Sequence, residues 1–276
     1  MNATANPEIG QSITAGGITT NYHDVGSGPP VLLIHGSGPG VTGWANWRIT
    51  LPELAKHHRA LAPDMVGFGY TERPADIEYN FNTWIDHAIG FLDALELEQV
   101  DLIGNSFGGG LSLALAIRHP NRIRRLVLMG AVGVNFELTP GLDAVWGYEP
   151  SVENMRALLD VFAYNRALMT DDLARMRFEA STRPGVQEAY RAMFPAPRQR
   201  WIEAMASDEA DIAALPHETL IFHGREDAVI PLSNALRFAE LIPHSQLHVF
   251  SHCGHWTQIE RATRFSRMVI DFFAEP

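Results

Sequence analysis

The chain has 276 residues, 46% of them hydrophobic, which is enough for one elaborated α/β domain with a sizeable core. Its formal net charge of -11 argues against a nucleic-acid partner, since proteins that bind polyanions usually carry a basic stripe. A small anionic substrate is not excluded, because one buried arginine can hold a carboxylate.

The cysteine content and the first residues indicate the compartment. The single cysteine, Cys253, can form neither an internal disulfide nor a thiolate metal cage. The opening stretch MNATANPEIGQS lacks the basic cluster and apolar segment of a signal peptide. The apolar run LSLALAI is too short to span a bilayer. We therefore predict a soluble, cytoplasmic protein with no membrane partner.

Strand-like and helix-like segments alternate along the first half of the chain. The predicted strands are PVLLIH (30–35), RALAPD (59–64), QVDLIGN (99–105) and RIRRLVLMG (122–130). The segments between them, TLPELAKHH, NTWIDHAIGFLDALEL and SFGGGLSLALAIRHP, have helical spacing of apolar residues. This repetition predicts an α/β fold with a mostly parallel sheet covered by helices.

Strand signals disappear between about residues 134 and 210. Three stretches there read as amphipathic helices: SVENMRALLDVFAYN, DDLARMRFEAST and VQEAYRAMFPAPRQRWIEAM. The alternation then resumes with ETLIFHG, PLSNALRFAELI, QLHVF and a last helix over 257–273. We predict a core domain of residues 1–133 and 211–276 with an inserted helical cap over 134–210.

The most specific motif is Gly104-Asn105-Ser106-Phe107-Gly108, which follows a predicted strand and opens a predicted helix. This is the context that a G-x-S-x-G nucleophile elbow requires, because the sharp turn crowds the backbone on both sides of the serine. The alternative is a structural turn. We predict that Ser106 is a nucleophile and that the Phe107 amide faces an oxyanion.

A serine nucleophile needs a base and an orienting acid. His255 lies in a loop between the last predicted strand and the final helix, whereas His248 and His252 are expected in the strand or at the surface. Asp227 follows the strand TLIFHG and is preferred as the acid to its neighbour Glu226. The alternative role of Asp227 is to cap a helix. We predict the triad Ser106, Asp227 and His255, while Asp64 is expected to cap a turn.

The glycine-rich loop His35-Gly36-Ser37-Gly38-Pro39-Gly40 is expected to supply the second oxyanion donor, from the Ser37 amide. The loop has neither a G-x-G-x-x-G motif that opens a helix nor a G-K-[ST] motif, so the sequence does not favour phosphate binding. No histidine pair has H-E-x-x-H spacing, and we predict no metal and no cofactor.

Several motifs together resemble the meta-cleavage product hydrolases, carbon-carbon bond hydrolases of the α/β-hydrolase fold. They are HGSGPG joined to GWANW, the asparagine of GNSFG, and CGHW with its tryptophan after the histidine. The resemblance runs along essentially the whole chain and includes the cap arginine Arg177 in RMRFEAST. It also implies a homo-oligomer, at least a dimer.

The resemblance implies a 2-hydroxy-6-oxohexa-2,4-dienoate substrate, split into 2-hydroxypenta-2,4-dienoate and a carboxylic acid. It places Asn46, Asn105, Arg177 and Trp256 at the dienoate end, with Gly36 among the substrate-binding residues. From the residues alone, a lone arginine such as Arg177 is usually a solvated cap residue, while the alternatives for Asn105 and Trp256 are a brace of the turn and a core aromatic.

The stretch GNSFGGG and the chain length look most like family members acting on monoalkylbenzene or phenol products, with methyl as the first guess for the C6 substituent. We expect an apolar pocket wall from Ala131, Ile230 and Phe162. The alternatives are a carboxylesterase or lactonase with the same triad, and a binding protein without turnover.

Overall fold

The computed structural model describes residues 6–275 and places one β-sheet at the centre of the molecule. Within these residues the sheet has eight strands: β1 Gln11–Ala15, β2 Ile18–Val25, β3 Pro30–Ile34, β4 Arg59–Pro63, β5 Val100–Asn105, β6 Ile123–Met129, β7 Thr219–Gly224 and β8 Ser245–Phe250. Their order is β1-β2-β4-β3-β5-β6-β7-β8. Only the pairs that involve β2 are antiparallel, so the prediction of a mostly parallel sheet is confirmed.

The central strands are buried on both faces, which explains their continuous apolar sequences. Every residue of β5 and β7 is buried, and Leu102 of β5 pairs with Leu32 of β3 and Leu126 of β6. The six predicted strands are confirmed. The β1–β2 hairpin was not predicted, because its sequences, QSITA and ITTNYHDV, are polar and partly exposed.

Helices cover both faces of the sheet. The core helices are α1 Gly43–Trp47, α2 Thr50–Leu54, α3 Phe81–Ala94, α4 Phe107–Arg118, α11 Leu232–Leu241, α12 Thr257–Glu260 and α13 Ala262–Ala274. Alternate residues of β3 divide between two hydrophobic clusters: Leu32 and Ile34 pack with α3 and α4, while Val31 and Leu33 pack with α1, α2 and α13. The sheet therefore separates two apolar layers.

The segment between β6 and β7 contains helices and no strand within the described residues. The helices are α5 Pro140–Trp146, α6 Val152–Phe162, α7 Asp171–Ser181, α8 Val186–Met193, α9 Gln199–Met205 and α10 Glu209–Ala213. The prediction of one continuous helix over 186–205 was wrong. The helix is interrupted between α8 and α9, where Pro195 and Pro197 have no amide hydrogen to donate. The last helix is likewise divided, at Arg261, whose φ is -125°.

The division into a core of residues 1–133 and 211–276 and a cap over 134–210 stays a prediction. Across residues 6–275, none of the helices combines the length and the apolar character that crossing a membrane requires.

Candidate active site

Ser106 lies on the sharp turn between β5 and α4. Its φ of 57° and ψ of -116° are strained for a residue with a side chain. The Ser106 amide donates to the Met129 carbonyl at 2.9 Å, and the Ser106 carbonyl accepts from the Val132 amide at 3.2 Å. The turn is therefore held rigidly against the neighbouring strand β6.

The flanking glycines are required by close backbone approaches. A Cβ on Gly104 would overlap the Gly108 carbonyl, and a Cβ on Gly108 would overlap the Ile34 carbonyl of β3. Both positions exclude any side chain, which is the physical reason for the glycine spacing around Ser106.

Asp227 and His255 form a buried polar pair beside Ser106. His255 Nδ1 lies 2.7 Å from Asp227 Oδ2, and both side chains are almost completely buried. The other carboxylate oxygen accepts from the amides of Val229 at 2.8 Å and Ile230 at 3.0 Å. These bonds fix the carboxylate, and the carboxylate orients the imidazole.

The Asp227 carboxyl keeps its charge although it is buried. Burial by itself raises its pKa, but the charge and hydrogen bond of His255, with His223 and the Ile230 amide, outweigh it and hold the pKa below the usual value. An ionised acid behind an imidazole favours a protonated imidazole, as a general base requires when it takes up a proton.

The other histidines and carboxylates considered for the triad do not line the cavity. His252 is exposed and His248 lies on β8, so neither adjoins the cavity. Asp64 is buried, does not line the cavity, and accepts from the Gly43 amide at 2.6 Å and the Tyr70 amide at 2.8 Å. Glu226 instead accepts from the Cys253 amide at 3.0 Å.

Ser106 and His255 open on a cavity of about 250 Å³ between the sheet and the helical segment. Its lining residues are Gly36, Ser37, Gly38, Pro39, Val41, Ala45, Asn46, Arg48, Ile49, Asn105, Ser106, Leu142, Val145, Met155, Leu159, Phe162, Leu168, Met169, Leu173, Arg177, Val229, His255, Trp256, Gln258 and Ile259. The hydrogen bonds within residues 6–275 do not include one between Ser106 and His255.

The predicted oxyanion loop follows β3 and faces the same cavity through Gly36, Ser37 and Gly38. Phe107 is the first residue of α4, so its amide has no partner within the helix. A glycine-rich loop and a helix N-terminus thus meet beside Ser106, an arrangement that can stabilise a developing negative charge.

All residues predicted at the dienoate end line the cavity: Asn46, Asn105, Arg177 and Trp256. Asn46 Oδ1 accepts from the Gly36 amide at 3.4 Å, while its Nδ2 is buried and has no partner among the described residues. Asn105 Nδ2 donates to the Met129 carbonyl at 3.3 Å, so Asn105 also braces the turn. The Trp256 ring stacks on Phe162 with centroids 4.6 Å apart.

Sequence reasoning missed two polar lining residues, Arg48 and Gln258. Burial and the nearby charge of Arg177 lower the pKa of Arg48. Gln258 is 1% exposed, its Nε2 donates to the Asn46 carbonyl at 3.4 Å, and its Oε1 is unpaired in the described part of the chain. Their positions in the sequence could have indicated both residues, because Arg48 is two residues from Asn46 and Gln258 is two residues from Trp256, and both of those were predicted to bind substrate.

The apolar wall was predicted only in part. Phe162 lines the cavity, but Ala131 and Ile230 do not. The Ala131 side chain packs against α4 at Gly109. Val229 lines the cavity in place of Ile230, in a bend whose two amides both donate to Asp227 Oδ1.

Groups of three or more His, Cys, Asp or Glu side chains able to hold a metal are not found in residues 6–275. The cavity lining includes two guanidinium groups, those of Arg48 and Arg177, which suit an anionic ligand.

Comparison with known proteins identifies the family. Residues 29–262 match the family model for the alpha/beta hydrolase fold. A 2-hydroxymuconate semialdehyde hydrolase from Pseudomonas sp. (strain CF600) is 64% identical over 276 residues, covering 100% of this chain and 98% of that protein. A 2-hydroxy-6-oxo-2,4-heptadienoate hydrolase from Pseudomonas putida is 65% identical over 269 residues, covering 98% of each.

A solved structure gives the same result. The meta-cleavage product hydrolase from Pseudomonas fluorescens IP01 is 62% identical, covers 97% of this chain and 98% of that chain, and superposes with a TM-score of 0.96. The resemblance inferred from HGSGPG, GNSFG and CGHW is confirmed. The chain therefore belongs to the α/β-hydrolase fold family and, within it, to the meta-cleavage product hydrolases.

Proposed function

We propose that the chain hydrolyses the C5–C6 bond of 2-hydroxy-6-oxohexa-2,4-dienoates with a small C6 substituent, methyl being the first choice. The products are 2-hydroxypenta-2,4-dienoate and a carboxylic acid. The observation that supports the proposal is that Ser106, Arg177 and His255, whose imidazole pairs with Asp227, have places on one cavity: the three side chains are among its lining residues. Such a cavity can hold a carboxylate at one end and react at the other.

In this proposal Ser106, His255 and Asp227 act as a triad. His255 takes the serine proton as base and later returns a proton as acid, with Asp227 holding its orientation. The oxyanion formed at C6 is held by the Ser37 and Phe107 amides. We favour an acyl-enzyme on Ser106; attack by water through a gem-diol would use the same residues.

Breaking a carbon-carbon bond requires a sink for the electron pair. Moving the 2-hydroxyl proton to C5 produces a 2,6-dioxo form in which the departing carbon is conjugated with the 2-oxo group. Arg177 would bind the carboxylate, and Asn46, Asn105 and Trp256 would bond the adjacent oxygen, so the dienoate end drives ketonisation. Gly36 lies beside them and donates its amide to Asn46.

The C6 substituent is the finer part of the proposal. The two relatives of nearly equal identity are named for substrates with hydrogen or methyl at C6. Leu142 of α5 and Val229 both line the cavity, and we call these two side chains the apolar patch. Thr139 Oγ1, at the start of α5, donates to the Val229 carbonyl at 2.7 Å and so holds α5 beside Val229. We assign this patch to the C6 substituent.

The test follows the loss of the dienoate absorbance with substrates that carry hydrogen, methyl, isopropyl or phenyl at C6, and identifies the acid released. We expect rapid turnover of the hydrogen and methyl compounds, with acetate released from the latter, and related alkyl groups overlapping because one methylene changes discrimination by about 1 to 3 kcal/mol. Rapid hydrolysis of nitrophenyl esters without any loss of dienoate would instead support a carboxylesterase or lactonase.

The homo-oligomer, at least a dimer, and the cytoplasmic location stay predictions of the family resemblance and of the sequence. Sedimentation of the purified protein measures the first directly.

A further inference from the structure

Arg177 has a carboxylate partner that lies outside the cavity. Its Nη2 donates to Glu8 Oε1 at 2.7 Å, and each of the two side chains is only 13% exposed. Arg177 is on α7 in the helical segment, whereas Glu8 lies in the turn before β1, 169 residues away in sequence. The ion pair therefore joins two distant parts of the chain.

The turn that carries Glu8 is firmly attached to the sheet. Asn21 of β2 donates from Nδ2 to the Glu8 carbonyl at 3.1 Å, and its Oδ1 accepts from the Gly10 amide at 2.9 Å. The His23 Nε2 lies 3.0 Å from the Pro7 carbonyl. The backbone at Glu8 is thus fixed on β2, and a fixed carboxylate can hold a long arginine side chain in one orientation.

The contact occupies only part of the guanidinium. Arg177 lines the cavity and Glu8 does not, so the carboxylate approaches from the side away from the substrate space. Arg177 Nε is buried and has no hydrogen-bond partner in the described residues. A guanidinium has five N–H donors, which leaves donors for a carboxylate in the cavity.

The charges of this region fit one carboxylate ligand. Arg48 and Arg177 both line the cavity, none of the described lining residues is acidic, and Glu8 is close enough to both arginines to influence the protonation of Arg48. Two guanidinium groups with one carboxylate leave a single positive charge. A substrate with one carboxylate at this end would neutralise it.

We propose that Glu8 is a positioning residue for substrate binding: its carboxylate holds the Arg177 guanidinium from behind so that the free N–H groups face the cavity. The proposal rests on the proposed function of Arg177 as the ligand of the dienoate carboxylate. Glu8 touches no reacting atom, so its effect is confined to binding of substrates that carry this carboxylate.

The experiment compares Glu8→Ala, Glu8→Gln and Arg177→Ala with a dienoate and with uncharged nitrophenyl acetate. Glu8→Ala is expected to raise KM for the dienoate about 10-fold with kcat nearly unchanged, since a hydrogen bond to a charged group is lost. Glu8→Gln keeps an acceptor for Arg177 Nη2 and should restore most of the affinity. Neither of the two Glu8 variants should alter KM for nitrophenyl acetate.

Asp24→Ala is the matched control. Asp24 pairs with Arg59 at 2.7 Å and is 15% exposed, but neither residue lines the cavity, so its loss should leave both KM values unchanged. Thermal unfolding of every variant separates misfolding from weak binding. An unchanged or lower dienoate KM in Glu8→Ala, beside a raised KM in Arg177→Ala, would overturn the role of Glu8 and leave that of Arg177 intact. An unaffected Arg177→Ala would overturn both.

Discussion

Trp146 donates a hydrogen bond from its indole Nε1 to the Ser37 hydroxyl at 2.9 Å, which ties the helical segment to the proposed oxyanion loop. The buried Tyr190 hydroxyl lies 3.0 Å from the Ser37 carbonyl and 2.7 Å from that of Val145, and its proton can be shared between them. Trp146 also stacks on Phe194, which contacts the Phe107 ring edge to face. One aromatic cluster therefore supports both residues proposed to hold the oxyanion.

Removing these contacts should slow the reaction without weakening binding. In Trp146→Phe and Tyr190→Phe, kcat is expected to fall about 10-fold, because the Ser37 amide is held less accurately where charge develops. KM should change little. Steady-state kinetics with the dienoate measure both constants.

Tyr148→Phe is the control for this prediction, since Tyr148 is a buried tyrosine of the same segment whose hydroxyl contacts Ser151 and Ser181 instead of Ser37. If Tyr148→Phe and Tyr190→Phe reduce kcat equally, the loss comes from a general disturbance of the helical segment. The hydrogen bond of Tyr190 to Ser37 is then not its cause.

Two buried histidines should make the fold sensitive to acid. Burial lowers the pKa of His35 from 6.5 to about 4 and that of His87 to about 4, the latter also through His35. His35 Nε2 accepts from the Met65 amide at 2.9 Å and His87 Nδ1 from the Val66 amide at 3.1 Å. Protonation at either nitrogen would remove an acceptor from a buried amide.

The direction of the pH effect follows from proton binding. Between about pH 4 and 6.5 the unfolded chain binds more protons at these histidines than the folded protein, so the free energy of unfolding falls as the pH falls through this window. From pH 7 to 5 the loss is about 2 kcal/mol for each histidine. Urea unfolding of wild type and His87→Gln at both pH values measures it; equal losses in the two proteins would refute this origin.

The glycines of the serine turn should not tolerate a methyl group. We expect Gly108→Ala to destabilise the protein by about 2 kcal/mol or more, because its Cβ would overlap the backbone carbonyl of Ile34. Gly110→Ala on the same helix is the comparison: its Cβ would lie 2.6 Å from a Val132 methyl group, and a side chain can move more readily than a strand. Denaturation midpoints should rank Gly108→Ala below Gly110→Ala, and the reverse order would show that the close approach of Gly108 to Ile34 does not limit this position.

The C6 patch should control the size of the accepted substituent. Leu142→Ala removes three carbons from the patch beside Val229, so the ratio of kcat/KM for the phenyl substrate to that for the methyl substrate should rise about 10-fold. Leu173→Ala shortens the wall on the helix that carries Arg177 and should leave the ratio unchanged. A larger shift in Leu173→Ala would place the C6 group at the other end of the cavity.

The sequence was most informative where a local backbone requirement restricts residue type. Gly104 and Gly108 revealed the turn at Ser106, and the loop after the last predicted strand revealed His255, because each signal lies within a few residues. The pairing of Glu8 with Arg177 joins residues 169 apart, and no local pattern predicts it. The wall residues Ala131 and Ile230 were wrong because which side chains of a loop face a cavity depends on its tertiary packing: Val229 lines the cavity in place of Ile230, and Ala131 packs against α4.

Ser106 is proposed to be the nucleophile of a carbon-carbon bond hydrolase. The most direct measurement follows the absorbance of 2-hydroxy-6-oxohepta-2,4-dienoate with wild type and Ser106→Ala, together with the acetate released. We expect rapid loss of absorbance and stoichiometric acetate from wild type, and a rate at least about 10⁴-fold lower from Ser106→Ala. Acetate release by Ser106→Ala at the wild-type rate, or none by a folded wild type, would contradict the proposal.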